Sequence, residues 1–223
     1  MSHVEIKAPK LDYYGAEAIK SLRTNLQFCG SDKKAIVFTS CTQNEGKTRT
    51  ILNLGIALSE IGKKVLLLDA DLRKSVLLGR CHTTTPVKGL THFLSKQEVL
   101  KDVICTTNVQ NFDIIFAGPV PPNPAELLSQ KYFGMMLETL RNYYDYILID
   151  SPPLGNVIDS AVIASHCDGS IFVIESGWNS YRFAQDVKAQ LEKTGCPILG
   201  VVLNKVDVHN QKYYGKYGKY GEA

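Results

Sequence analysis

The sequence has no apolar stretch approaching the roughly 18 residues of a membrane-spanning helix, and residues 1–9 carry charges where a secretory signal would have an apolar core. These absences predict a water-soluble chain, so any work at a membrane requires another protein to bring it there. Excess charge is missing too. With 25 basic and 22 acidic side chains the net charge is only +3, which gives no support to nucleic acid or a membrane surface as the main partner. The six cysteines (Cys29, Cys41, Cys81, Cys105, Cys167, Cys196) form no C-x-x-C pair, which argues against a structural metal site and against a disulfide-dense secreted fold. A reducing cytosol suits them, and no repeat of solenoid length occurs.

What the sequence does have is apolar content, 44% over 223 residues, enough for one large domain with a full core. Short apolar runs at 35–39, 65–68, 113–116, 146–149, 170–174 and 198–203 read as strands buried on both faces, several of them ending in small or acidic residues. Helical spacing lies between them at 48–61, 124–143 and 181–194, and a further helix at about 13–28 precedes the first of these strands. The alternation predicts an α/β fold with a mostly parallel sheet of about seven strands, helices on both faces, and ligands at the carboxyl ends of the strands. The single domain is expected over residues 1–210. Residues 211–223 are a mobile Tyr, Gly and Lys tail with no apolar periodicity, and the Pro-rich turn 118–124 is expected as a surface loop near the site.

The chemistry concentrates after the strand ending at Thr39. Residues 41–48 read Cys-Thr-Gln-Asn-Glu-Gly-Lys-Thr and then a helix begins, the strand-loop-helix context of a phosphate-binding loop. Backbone N–H groups of Thr42, Gln43, Asn44, Glu45 and Gly46, with the positive end of the helix dipole, suit phosphates, Lys47 suits the β/γ oxygens, and the Thr48 hydroxyl suits Mg²⁺. Cys41 stands where the common pattern has glycine. Two strands end in carboxylates, at Asp69 with Asp71 and at Asp150. Asp150 suits a water-bridged Mg²⁺, and one of Asp69 or Asp71 suits acceptance of a proton from an attacking hydroxyl. Each aspartate alone could be a helix N-cap, which explains three together poorly. Arg49 and Arg73 read equally well as phosphate neighbours or as exposed helix residues.

The phosphate loop, the acidic motif 66–73 and the motif 147–153 together resemble the bacterial tyrosine kinases (BY-kinases) of capsule and exopolysaccharide synthesis, over nearly the whole chain and most closely the stand-alone kinases of Gram-positive bacteria. Residues 117–119 with 121–124, residues 200–204 and the tyrosine-rich end strengthen the likeness. The resemblance implies Mg-dependent phosphoryl transfer from ATP to protein tyrosine, with Lys47, Asp69, Asp71 and Asp150 catalytic, Asp69 as the proton acceptor, Thr48, Asp71 and Asp150 on the metal, and Asn204 joining the ATP contacts. It implies autophosphorylation at Tyr213, Tyr214, Tyr217 and Tyr220. Ring assembly would run through an E-x-x-R-x-x-R helix matched here by Glu17, Lys20 and Arg23, with lysine replacing one arginine and losing its bidentate fork. It also implies a membrane-bound activator or polysaccharide co-polymerase, a cognate tyrosine phosphatase, tail phosphorylation in trans, and a cytoplasmic location at the inner face of the membrane.

Other readings stay open from residues alone. Glu17, Lys20 and Arg23 are also an ordinary charged helix face, and the tail is also a solubilising end. A partitioning or division-type ATPase switch shares the acidic motifs but carries a second lysine where this chain has Thr42, and gives the tail no role. Residues 204–207 match the guanine-reading N-K-x-D, yet Asp150 is followed by Ser-Pro-Pro where a GTPase has D-x-x-G. A catalytically poor nucleotide-binding assembly scaffold is a third possibility.

Overall fold

A computed structural model describes residues 2–7, 10–83 and 86–207. Among the described residues nine strands form one sheet in the order β4-β1-β5-β6-β3-β7-β2-β8-β9. They are β1 (Ser2–Ile6), β2 (Ala35–Ser40), β3 (Val65–Asp69), β4 (Cys81–His82), β5 (Cys105–Thr107), β6 (Phe112–Ile115), β7 (Tyr146–Asp150), β8 (Gly169–Glu175) and β9 (Ile198–Asn204). From β6 to β9 every pairing is parallel, while β5 meets β6 and β4 meets β1 antiparallel.

The six expected strands are present, and the sheet is wider than about seven because β1, β4 and β5 extend one side of it. These additions are two to five residues long and lack the sustained apolar runs of the central strands, so periodicity does not mark them.

Among the described residues the α-helices are α1 (Tyr13–Phe28), α2 (Lys47–Glu60), α3 (Leu90–Leu94), α4 (Leu100–Val103), α5 (Pro124–Ser129), α6 (Lys131–Leu140), α7 (Asp159–Ala164) and α8 (Tyr181–Glu192). The Asp12 carboxylate caps α1 by accepting from the Gly15 N–H at 2.7 Å. The continuous helix expected over 124–143 is two, because Gln130 turns to extended backbone (φ −68°, ψ 148°) between them.

Neighbouring residues of the central strands enter opposite cores. On one side Ile36, Phe38, Leu67 and Leu148 pack with Ile51, Leu54 and Leu58 of α2 and Leu26 of α1. On the other, Val37, Leu66, Leu68 and Ile149 pack with Leu128, Phe133, Leu137, Ile163 and Leu191 of the remaining helices. Burial on both faces is why these strands read as unbroken apolar runs. Helix α2 lies close enough that a Cβ on Gly55 would stand 2.7 Å from the Phe112 ring, so glycine sets that approach.

Chain order reverses around β7, which sits between β2 and β3, and this opens a crevice at their carboxyl ends. The Pro-rich turn is exposed at 118–120 and 122–123 with Pro124 buried, and Gly118 lies close to Gly89, Thr91 and His92. None of residues 118–124 lines the phosphate-loop cavity.

Leu66 is fully buried beside Ile147 and Asp113 in the sheet, on the strand that carries Asp69. Leu66→Ala is expected to lower unfolding free energy by about 2–5 kcal/mol, measured by urea denaturation.

Candidate active site

The loop between β2 and α2 closes around two left-handed residues, Asn44 (φ 66°) and Gly46 (φ 87°). At Gly46 the requirement is steric as well as conformational, since an added Cβ would lie 2.0 Å from the Asn204 Nδ2. Cys41 fits where glycine is common because its side chain enters the helix-rich core and is fully buried. Burial also pushes its thiol up to about 12, so it stays neutral.

Lys47 and Thr48, the first residues of α2, both reach Asp150 at the tip of β7. The Lys47 ammonium stands 3.1 Å from Asp150 Oδ1, and the Thr48 hydroxyl donates to Oδ2 at 2.5 Å. All three residues are at most 9% exposed. The Lys47 contact is ionic and off the hydrogen-bond direction, so buried Oδ1 accepts no hydrogen bond.

Asp69 stands beside Asp150 in register across β3 and β7 and is 1% exposed. Its Oδ1 accepts from the Asp71 N–H at 3.3 Å, and its Oδ2 accepts from the Ser75 hydroxyl. Burial first, then the neighbouring Asp150 charge, pushes the Asp69 carboxyl up to about 8. Asp71 accepts the N–H groups of Arg73 and Lys74 at 3.2 and 3.0 Å and lines the cavity. The expected convergence of three carboxylates is therefore split, with Asp69 and Asp150 deep and side by side and Asp71 on the wall.

The cavity has a volume of about 300 Å³. The loop residues Gln43, Asn44, Glu45 and Gly46 line it with Lys47, Thr48, Arg49, Asp71, Lys74, Val76, Arg80, Pro153 and Lys205. Five cationic side chains against two carboxylates suit a polyanion, and α2 presents its N-terminus to the same space.

Thr42 and Asn204 both make contacts within the loop region. Thr42 does not line the cavity, because its N–H and hydroxyl both donate to Glu45 Oε1, at 2.5 and 3.0 Å. Asn204 donates its Nδ2 to the Glu45 carbonyl at 2.8 Å, so it braces the loop.

The two arginines separate cleanly. Arg49 lines the cavity, whereas Arg73 turns away to grip fully buried Asp159 through Nε at 2.7 Å and an Nη at 3.0 Å. Arg80 and Lys74 reach the cavity from the segment after β3 without a sequence motif that marks them. Lys205, within the N-K-x-D match, lines the cavity and pairs with Glu175 at 2.7 Å.

On α1, Glu17 and Lys20 form an exposed pair at 2.7 Å, while Arg23 donates to the Ala57 carbonyl of α2 at 3.1 Å. Arg23 thus engages α2 while Glu17 and Lys20 lie at the surface. Tyr213, Tyr214, Tyr217 and Tyr220 lie outside the described residues. Among the described residues no helix is long and apolar enough to cross a membrane.

The protein-family model AAA_31, an AAA domain, matches residues 33–182. Tyrosine-protein kinase CpsD of Streptococcus agalactiae is 43% identical over 206 residues, covering 92% of this chain and 90% of that protein. In structure, the chain is similar to the chimerical protein CapA2B2, with a TM-score of 0.82 and 30% identity over 91% of this chain and 92% of that one. The septum site-determining protein MinD of Pyrococcus horikoshii, complexed with Mg-ADP, has a TM-score of 0.66 and 29% identity over 78% of this chain and 71% of that one.

Gly46→Ala places a methyl group against Asn204 on a left-handed backbone, so the loop has to open. Affinity for ATP is expected to fall at least about tenfold, as measured by titration calorimetry.

Proposed function

This chain belongs to the bacterial tyrosine kinases of capsule and exopolysaccharide synthesis, and on that premise we propose that it transfers the γ-phosphoryl group of Mg-ATP to tyrosines of its own tail. The observation that carries the reading is the phosphate loop with Lys47 and Thr48 gathered on Asp150, opening on a cation-lined cavity.

In this reading the α2 N-terminus and Lys47 hold the phosphates, and Lys47 exchanges Asp150 for the β/γ oxygens when nucleotide binds. Arg49, Lys74 and Arg80 neutralise charge around them from the cavity wall. A tyrosine hydroxyl attacks the γ-phosphorus, the bond to the β-bridging oxygen breaks, and ADP leaves. Asp69 accepts the phenolic proton in its ionised form, which a cation held beside Asp150 would favour. Because Asp69 lies behind the wall with Ser75 across its Oδ2, the segment after β3 moves aside as the tyrosine enters.

The donor set suits Mg²⁺. Asp150 Oδ1 is a buried oxygen without a hydrogen-bond donor, the Thr48 hydroxyl sits on the same carboxylate, and Asp71 shares the cavity lining with Thr48. Held by Thr48, Asp71 and Asp150, Mg²⁺ would supply charge neutralisation of the transferring phosphate.

The substrates are Tyr213, Tyr214, Tyr217 and Tyr220, in a segment whose glycines suit delivery to a neighbour's site and whose lysines soften repulsion between phosphates. We assign the activator to a membrane-bound polysaccharide co-polymerase that recruits this cytoplasmic chain to the membrane, and dephosphorylation to a cognate tyrosine phosphatase. Ring assembly through α1 relies on Glu17 and Lys20, since Arg23 serves α2. The ATPase-switch reading is less favoured because Thr42 replaces the second lysine and is turned into its own loop.

Lys47→Met is expected to abolish self-phosphorylation with the fold intact by circular dichroism; normal activity in that variant would refute the site assignment. Chelation of divalent cations is expected to stop the reaction, with Mg²⁺ restoring it. Excess GTP is expected to leave phosphorylation by ATP largely unaffected, and strong competition would revive the guanine reading of residues 204–207.

A further inference from the structure

A carboxylate inside a phosphate-binding loop is electrostatically unwelcome, yet Glu45 is 1% exposed there. Burial of such a group is tolerated only when its oxygens are satisfied. Those of Glu45 are. Oε1 accepts both the N–H and the hydroxyl of Thr42, and Oε2 accepts the Glu175 N–H at 2.8 Å. Thr42 lies at the start of the loop, and Glu175 is the last residue of β8. The backbone of Glu45 is held as well, its carbonyl accepting from Asn204 at the end of β9. The Glu175 side chain in turn holds Lys205 on the cavity wall.

We propose that the Glu45 side chain is a positioning residue that closes the phosphate loop on itself and onto the end of β8 before nucleotide arrives. With the loop fixed from three sides, α2 presents its unpaired amides to incoming phosphates without reorganising. Committing both carboxylate oxygens to donors also turns the negative charge away from the anion site. The inference deepens the nucleotide-binding reading and rests on it.

The test measures Mg-ATP affinity of the full chain by titration calorimetry for the parent, Glu45→Ala, Glu45→Gln, Thr42→Val and the Thr42→Val/Glu45→Ala double variant. Glu45→Ala is expected to weaken binding about tenfold or more, because charge-assisted contacts are lost. Glu45→Gln keeps the shape but swaps an acceptor oxygen for a donor, and is expected to lose a comparable amount. Thr42→Val loses less, and the double variant binds no more weakly than Glu45→Ala, since the two side chains act as one unit. In nucleotide-free Glu45→Ala, amides of residues 41–46 are expected to exchange faster than in the parent, and the ATP KM to rise by a larger factor than kcat falls.

Equal or tighter ATP binding by Glu45→Ala would overturn the proposal, because the carboxylate would then only repel phosphate. Additive losses at Thr42 and Glu45 would overturn it too. If Glu45→Ala does not fold, Glu45→Gln against Thr42→Val carries the same comparison, and undiminished affinity in both refutes the latch. A parent that binds no ATP removes the nucleotide reading itself, whereas a binding parent with unaltered Glu45 variants removes the latch alone.

Discussion

The carboxylate of Asp150 is the point on which the rest of the site depends. It ends β7, the strand flanked by β2 and β3, so the phosphate loop stands on one side of it and the acidic motif on the other. Lys47 and Thr48 reach it from α2, and Asp69 lies next to it in register. A buried anion of this kind persists because a cation and a hydroxyl face it, and both are groups that nucleotide chemistry requires. The Asp69 carboxyl is pushed up first by its burial and then by this neighbouring charge.

Around that point the fold separates the work of holding the loop from the work of touching the ligand. Thr42, the Glu45 side chain, Asn204 and the Glu175 backbone brace one another, while the α2 N-terminus and a set of cationic side chains face the cavity. Arg73 belongs to the first group in spirit, since it fastens the segment after β3 to buried Asp159 on α7. Rigid bracing behind a cationic wall is the arrangement expected of phosphoryl transfer, where positioning and charge neutralisation supply most of the catalysis.

The central sheet and the phosphate loop could be read from the chain because each leaves a local pattern: long apolar runs on strands buried twice over, and Gly-Lys-Thr at the start of a helix. The edge strands β1, β4 and β5 leave none, being short and paired through backbone groups that any sequence supplies. The site followed the same division. Lys47 and Thr48 at a helix start and Asp150 at a strand tip lie together, whereas the contacts that Asn204 and Thr42 make with Glu45 leave no local pattern. Arg49 and Arg73 differ by which helix or loop turns them inward, and Arg80 reaches the cavity through a path only the folded chain defines. Lysine at position 20 was visible as a departure from the assembly motif, whereas the engagement of Arg23 with the Ala57 carbonyl depends on how α1 packs on α2.

The central claim is that phosphate leaves ATP for tyrosine and not for water. Mass spectrometric mapping of the purified chain after incubation with Mg-ATP and the cytoplasmic segment of a membrane activator tests it most directly. The account predicts phosphate on tyrosine, concentrated at Tyr213, Tyr214, Tyr217 and Tyr220. ADP release with no phosphotyrosine anywhere in the chain would contradict it and identify an ATPase switch instead.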